Sequence, residues 1–195
     1  MIDSQSCDRP HSERLLMKRI PSAIGAVLVI ATGLSAAPSY GMGTGNPYED
    51  QQAGVSYTVY QPSYTAGLKT PPTGSGQAEC PAGTDQDLGV SYGKKAALYF
   101  TVTEGNPLCS DVGSGPTVLT TTIKGARATV QAYCDPAKVK ICTKADVLKY
   151  GGHLSVTLPA IKGLTKTMVV IETTGKQKLS AQQLVLVARS MKPVN

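Results

Sequence analysis

Tryptophan is absent from this 195-residue chain, and Phe100 is its only phenylalanine. A core cannot be built on large aromatics here, so Val, Leu, Ile and Ala must fill it, and tyrosine carries the aromatic load. No C-x-x-C occurs, which removes thioredoxin-like chemistry. No G-K-[ST] follows the glycines of "MGTGNPYEDQQAG", which removes a phosphate loop. No apolar run reaches the roughly 20 residues of a membrane-spanning helix. The longest, Ile20 to Leu34, is broken by Pro21, Gly25 and Gly33.

That run has a context. Lys18 and Arg19 precede it and small residues follow it in "MKRIPSAIGAVLVIATGLSAAPSYGM". Basic, apolar and small, in that order, is the layout of a secretory signal peptide. Cleavage after Ala37 places Pro38 directly behind the cut; cleavage after Gly41, with Ser39 at −3, avoids it and is preferred. An uncleaved anchor is the alternative. Residues 1–16 are an overlong n-region, or Met17 is the true start. The expected organisation is an upstream segment 1–16, a signal peptide 17–41, a flexible leader 42–54 and one secreted domain 55–195.

Export decides how the cysteines are read. Of five, Cys7 leaves with the upstream segment, and Cys80, Cys109, Cys134 and Cys142 remain. An even number outside the cytoplasm points to disulfides. Four cysteines allow three pairings, and sequence does not choose among them. Nearest neighbours, Cys134–Cys142 and Cys80–Cys109, close the shortest loops, and Asp135-Pro136 helps turn the chain between the first two. Zinc asks for C-x₂₋₄-C pairs, which are lacking. Asp85 and Asp87 have no further ligands at calcium-loop spacing. No cofactor is called for.

Charge is uneven. From Met42 to Ile123 there are 3 basic and 7 acidic residues, net −4; from Lys124 to Asn195 there are 12 basic and 3 acidic, net +9. Lys162, Lys166, Lys176 and Lys178 stand out as binding candidates for an anionic envelope polymer, a lipid headgroup or an acidic protein. The alternative is a solvated face that keeps the domain soluble. Nucleic acid fits poorly, because few aromatics lie beside these lysines and the chain is exported.

Alternation supplies the strands. "VSYTVY" (55–60) reads as a half-buried strand and Gln61 to Glu79 as a loop. In "AALYFTVT", Leu98, Phe100 and Val102 share a face. "TVLTTTI" and "ARATVQAY" form a hairpin about Lys124-Gly125, with Ala128, Val130 and Ala132 inward. "TKADVLKYGG" reads as a short helix capped by Thr143. "HLSVTLP" turns Leu154, Val156 and Leu158 inward and His153 outward. "TMVVIET" reads as a strand covered on both faces. In "KLSAQQLVLVARSMKPV", Ser180 and Gln183 form a capping box, Leu179 and Leu184 a staple, and Pro193 ends the helix. The predicted fold is α+β: about six strands in an antiparallel β-sheet with a C-terminal helix packed on one face.

"YTVYQPSYTAGL" and "MVVIETTGKQKLSAQQLVLVARSM" resemble the two ends of an extracytoplasmic domain of bacterial anti-sigma factors and lipoproteins. The shared residues are Tyr60, Pro62 and Tyr64 at one end and Leu179, Ser180, Leu184, Ala188 and Ser190 at the other. The resemblance implies a lipoprotein-carrier-like curved sheet with a helix, and no enzymatic role.

One motif points elsewhere. "GVSYG" (89–93) matches G-x-S-x-G, with Asp135 or Asp146 and then His153 following in order. A nucleophile elbow needs a strand, a sharp turn and a helix. Here a loop-like "TDQDLG" precedes Ser91 and a strand follows it, so a Gly-flanked turn is expected. Two functions are carried forward: a secreted, non-catalytic envelope-associated binding or structural domain, and a small secreted serine hydrolase using Ser91 and His153.

Overall fold

A computed structural model describes residues 43–76, 85–107, 114–135 and 137–194. In it the alternating runs pair as antiparallel strands. Along the chain lie α1 (Pro47–Gln52), β1 (Tyr60–Pro62), β2 (Ser75–Gly76), β3 (Leu88–Gly93), β4 (Tyr99–Gly105), β5 (Thr117–Ile123) and β6 (Ala126–Ala132). Then come α2 (Asp146–Tyr150), β7 (Gly152–Leu158), β8 (Thr167–Thr173), α3 (Ala181–Ser190) and β9 (Met191–Pro193). Seven strands form one sheet in the order β2-β3-β4-β8-β7-β6-β5, and β1 pairs with β9 in a second, two-stranded sheet. The fold is α+β, an antiparallel sheet with the C-terminal helix on one face.

Period-2 burial explains the sheet. Phe100 and Val102 of β4, Ala128, Val130 and Ala132 of β6, and Leu154, Val156 and Leu158 of β7 are all buried on one face of the sheet, the face that carries α3. Helix α3 sends Leu184, Val187 and Ala188 into that core. It starts where the sequence says. Ser180 Oγ accepts from the Gln183 N–H at 3.2 Å, while Gln183 Oε1 accepts from the Ser180 N–H at 2.9 Å. The β5–β6 hairpin turns at Lys124 and Gly125, both with positive φ (49° and 79°), the geometry of a two-residue hairpin loop. Tyr92 stacks on Phe100 with ring centroids 4.7 Å apart.

Several expectations need correction. The leader is not flexible throughout, because Pro47–Gln52 is helical. Asn46 caps it by accepting from the Tyr48 N–H at 3.2 Å, and Tyr48 is buried. Tyr57 to Tyr60 are all buried, so "VSYTVY" is not half-buried; β1 begins only at Tyr60. Two short strands, β1 and β2, interrupt the expected 61–79 loop. Gly89 to Gly93 is not a turn but most of strand β3. Strand β8 alternates buried and half-buried residues, so one of its faces is fully covered and the other only in part. Thr143 does not cap α2; its N–H and hydroxyl instead donate to Asp146 Oδ2 at 2.8 and 2.7 Å, and the helix begins at Asp146. After Ser190 the chain straightens into β9 before Pro193.

Cys134 and Cys142 are disulfide-bonded, with Cα atoms 6.2 Å apart. Cys80, Cys109, the signal peptide and the upstream segment lie outside the described residues. Among the described residues no helix is long and apolar enough to cross a membrane.

Candidate anion-binding site

Strand β8 separates the four lysines singled out above. Lys162 and Lys166 lie before it, in the β7–β8 connection, and Lys176 and Lys178 lie after it. Seven residues at about 3.4 Å each put the pairs roughly 24 Å apart, at opposite ends of the sheet. The four do not form one patch.

The second pair has other company. Lys94 and Lys95 occupy the β3–β4 turn, closed by Lys94 N–H to Leu98 O at 3.2 Å and Ala97 N–H to Lys94 O at 2.8 Å. The β8–α3 turn lies directly against it. The Lys176 N–H donates to Lys95 O at 2.8 Å, and the Gln177 N–H to Ala97 O at 3.0 Å. Two glycines make this possible. Gly93 has φ of 77°, and a β-carbon there would stand 2.1 Å from Leu98 O. A β-carbon at Gly175 would stand 2.6 Å from Tyr99 Cβ and 2.8 Å from Ala97 O.

The result is a group of lysines drawn from both halves of the chain. Lys94, Lys95 and Lys176 are exposed and Lys178 is half-buried. Lys95 Nζ lies 5.9 Å from the centroid of the Tyr99 ring, a cation–π distance. The Lys178 stem lies over Gly151, next to the Tyr133 ring. Among the described residues the only ion pair is Lys138 with Asp135, at 3.1 Å. Lys94, Lys95, Lys176 and Lys178 therefore have no carboxylate partner there. Like charges held together without counter-charges focus a positive field on solvent.

The sheet face beside these turns carries a polar row. Ser91 pairs with Thr101, Thr101 with Glu172, and Glu172 with His153, one residue per strand from β3 to β7. Paired residues share a face, so Ser91 and His153 face the same way. They stand three strand spacings apart, about 14 Å. Ser91 Oγ meets the Tyr99 hydroxyl at 3.1 Å instead.

His153 is buried, not on the surface as its register suggested. Its side chain does point to the polar face, but Tyr133, just past β6, covers it there. The Tyr133 hydroxyl donates to Glu172 Oε1 at 2.6 Å and lies 3.1 Å from His153 Nδ1. With the phenol proton given to the carboxylate, Nδ1 must be the donor in the second bond, so a neutral His153 carries its proton on Nδ1. Burial lowers the imidazole pKa, and the Glu172 charge opposes that shift. Burial, with the Glu172 hydrogen bond and charge, raises that of the Tyr133 phenol.

Sequence reading missed Tyr133 and Glu172, which no local pattern ties to His153. It also missed Lys94 and Lys95, because charge was counted by halves of the chain. Glu104 could have been found. Continuing the alternation Leu98, Phe100, Val102 by one step puts Glu104 on the apolar face, and it is fully buried there. No group of three or more His, Cys, Asp or Glu capable of holding a metal ion occurs among the described residues. No family model matches this chain, and neither a curated protein nor a solved structure does so.

Proposed function

We propose that this chain is a secreted, non-catalytic binding domain that holds an anionic polymer or headgroup of the cell envelope at the turns bearing Lys94, Lys95, Lys176 and Lys178. One observation carries the reading: the Lys176 N–H to Lys95 O bond joins two lysine-bearing turns that have no ion-pairing carboxylate among the described residues. Holding these cations together disfavours the free protein, and an anion relieves that repulsion. The Cys134–Cys142 disulfide supports a place outside the cytoplasm. The alternative, a hydrolase built on Ser91 and His153, requires a proton transfer across about 14 Å. The extracytoplasmic resemblance of the two ends is consistent with the binding reading; those ends meet in the β1–β9 pair.

The test is binding of purified exported protein to polyphosphate and to vesicles containing an anionic phospholipid, followed as salt is raised. Lys95→Glu with Lys176→Glu should abolish binding, while Lys162→Glu with Lys166→Glu should weaken it little. Equal loss from both pairs would reduce the site to general surface charge. Labelling by a serine-reactive probe that Ser91→Ala removes would favour the hydrolase.

A further inference from the structure

The two edges of the seven-stranded sheet are unlike. At one end β2 contributes two residues, too few to template another strand. At the other, β5 contributes seven, Thr117–Ile123, with no charge and no proline among them. Natural edges are usually blunted by such residues, because unpaired backbone groups invite a further strand. Among the described residues no strand pairs with the outer side of β5, and its one irregularity, a register shift between Thr117 and Leu119, leaves Leu119–Ile123 regular.

A groove of about 390 Å³ lies between this edge and α3. Leu119, Val185 and Leu186 give it an apolar floor, and Leu186 is 48% exposed, unusually open for a leucine on a core helix. Lys144 and Arg189 supply its charge. Arg189 Nη2 donates to Thr121 Oγ1 at 3.3 Å, which lays the guanidinium along the edge strand. Among the described residues, no acidic side chain lines the groove and neither cation has an ion-pair partner.

We propose that the β5 edge and this groove bind an extended peptide strand carrying an acidic and an aliphatic residue two positions apart. Backbone pairing to β5 supplies the hydrogen bonds, as in other strand-addition complexes. Residues two apart project from the same face of a strand. The aliphatic side chain covers Leu119, Val185 and Leu186, and the acidic one meets Arg189 and Lys144. A second copy of this chain fits worse, because two-fold β5–β5 pairing brings each basic groove toward its own image. An acyl chain could fill the groove but would leave the edge N–H and C=O groups unpaired. The site lies across the sheet from the Lys94–Lys178 turns and does not depend on them.

The experiment titrates the fluorescein-labelled heptapeptide TLTETVT with the full exported chain, reading anisotropy. Binding should weaken about tenfold when Arg189 is changed to Glu, and by a similar factor for the peptide TLTKTVT. Arg189→Gln, with unchanged circular dichroism, should give an intermediate loss, which separates recognition from misfolding. Of two peptides N-methylated at alternate residues, one should lose binding and the other keep it. Equal binding of TLTETVT and TLTKTVT, or indifference to both methylation patterns, overturns the proposal. So does palmitate binding in the groove where the peptide does not, or a dimer whose formation blocks the peptide.

Discussion

The Tyr60 backbone N–H donates to Glu104 Oε2 at 2.8 Å, across 44 residues of sequence and wholly inside the core. The bond ties β1 to β4, which belong to different sheets. Glu104 Oε1 is the one buried side-chain nitrogen or oxygen, among the described residues, without a hydrogen-bond partner. Tyr48 and Tyr92 share a hydrogen bond of 2.8 Å in the same core, and burial raises the pKa of both phenols. Burial pushes the Glu104 carboxyl well above the usual carboxylate range, and the Tyr60 N–H only partly offsets this.

A raised carboxyl has a definite stability signature. Below the unfolded value of about 4.3, both states hold the proton and Glu104 adds no pH dependence. Above it the unfolded chain releases the proton while the folded chain retains it. Stability then falls with rising pH by up to about 1.4 kcal/mol per unit, until the folded group also ionises. Glu104→Gln keeps an acceptor for Tyr60 and should remove that slope, so its advantage over the parent grows from pH 5 to pH 8. Glu104→Ala should cost about 1–3 kcal/mol at pH 4, where the Tyr60 N–H is left unpaired. Urea unfolding at each pH measures both, and parallel curves for parent and Glu104→Gln would refute the assignment.

His153 acts in the opposite direction. Its folded-state pKa is lowered, so the unfolded chain takes up a proton first as pH falls below about 6.5, and stability drops there. Tyr133→Phe should cost about 1–3 kcal/mol by leaving Nδ1 and Glu172 without their shared hydroxyl. Nitrogen chemical shifts of the His153 ring should report the Nδ1–H tautomer at pH 7.5, and the Nε2–H tautomer would contradict the network.

The disulfide closes a short loop directly after Tyr133. In the chain-entropy account, a loop spanning Cys134 to Cys142 is worth about 2–3 kcal/mol. Cys134→Ala with Cys142→Ala should lower stability by that amount. It should also raise amide exchange at Tyr133, whose N–H donates to Gly151 O at 3.1 Å. Unchanged exchange at Tyr133 would mean that the loop does not brace it.

Gly175→Ala tests the apposition of the lysine turns without altering charge. The added carbon would meet Tyr99 Cβ and Ala97 O and should push the β8–α3 turn off the β3–β4 turn. Polyanion binding should fall several-fold at constant net charge. Binding equal to the parent would show that charge alone, not its arrangement, attracts the ligand.

The sequence was legible wherever one contact rule governs a run of residues. Ala128, Val130 and Ala132, and Leu154, Val156 and Leu158, alternate because one face packs under α3. Ser180 and Gln183 cap α3 through bonds only three residues apart. Legibility failed where a distant segment supplies the environment. Glycines at 89 and 93 read as turn residues, yet pairing with β4 makes the segment a strand. Strands β1 and β9 exist only through each other, and three residues carry no period. His153 faces the polar side as its register says, but Tyr133 buries it, and alternation holds no information about that lid. Lys95 and Lys176 become neighbours only when β4 and β8 pair.

The β1–β9 pair also fixes where the domain can be tethered. Thr44 and Val194, near the first and last described residues, line the same cleft, about 600 Å³ in volume. That cleft adjoins the end of the sheet at which Thr58 bonds to Thr165, whereas Lys94, Lys95, Lys176 and Lys178 sit at the other end, beyond the length of β8. A leash that leaves the described domain at Gly43 or at Val194 thus pulls from one pole and leaves the cationic pole pointing away. Immobilised through a tag joined directly before Gly43 or directly after Val194, the domain should present the same surface to an incoming polyanion.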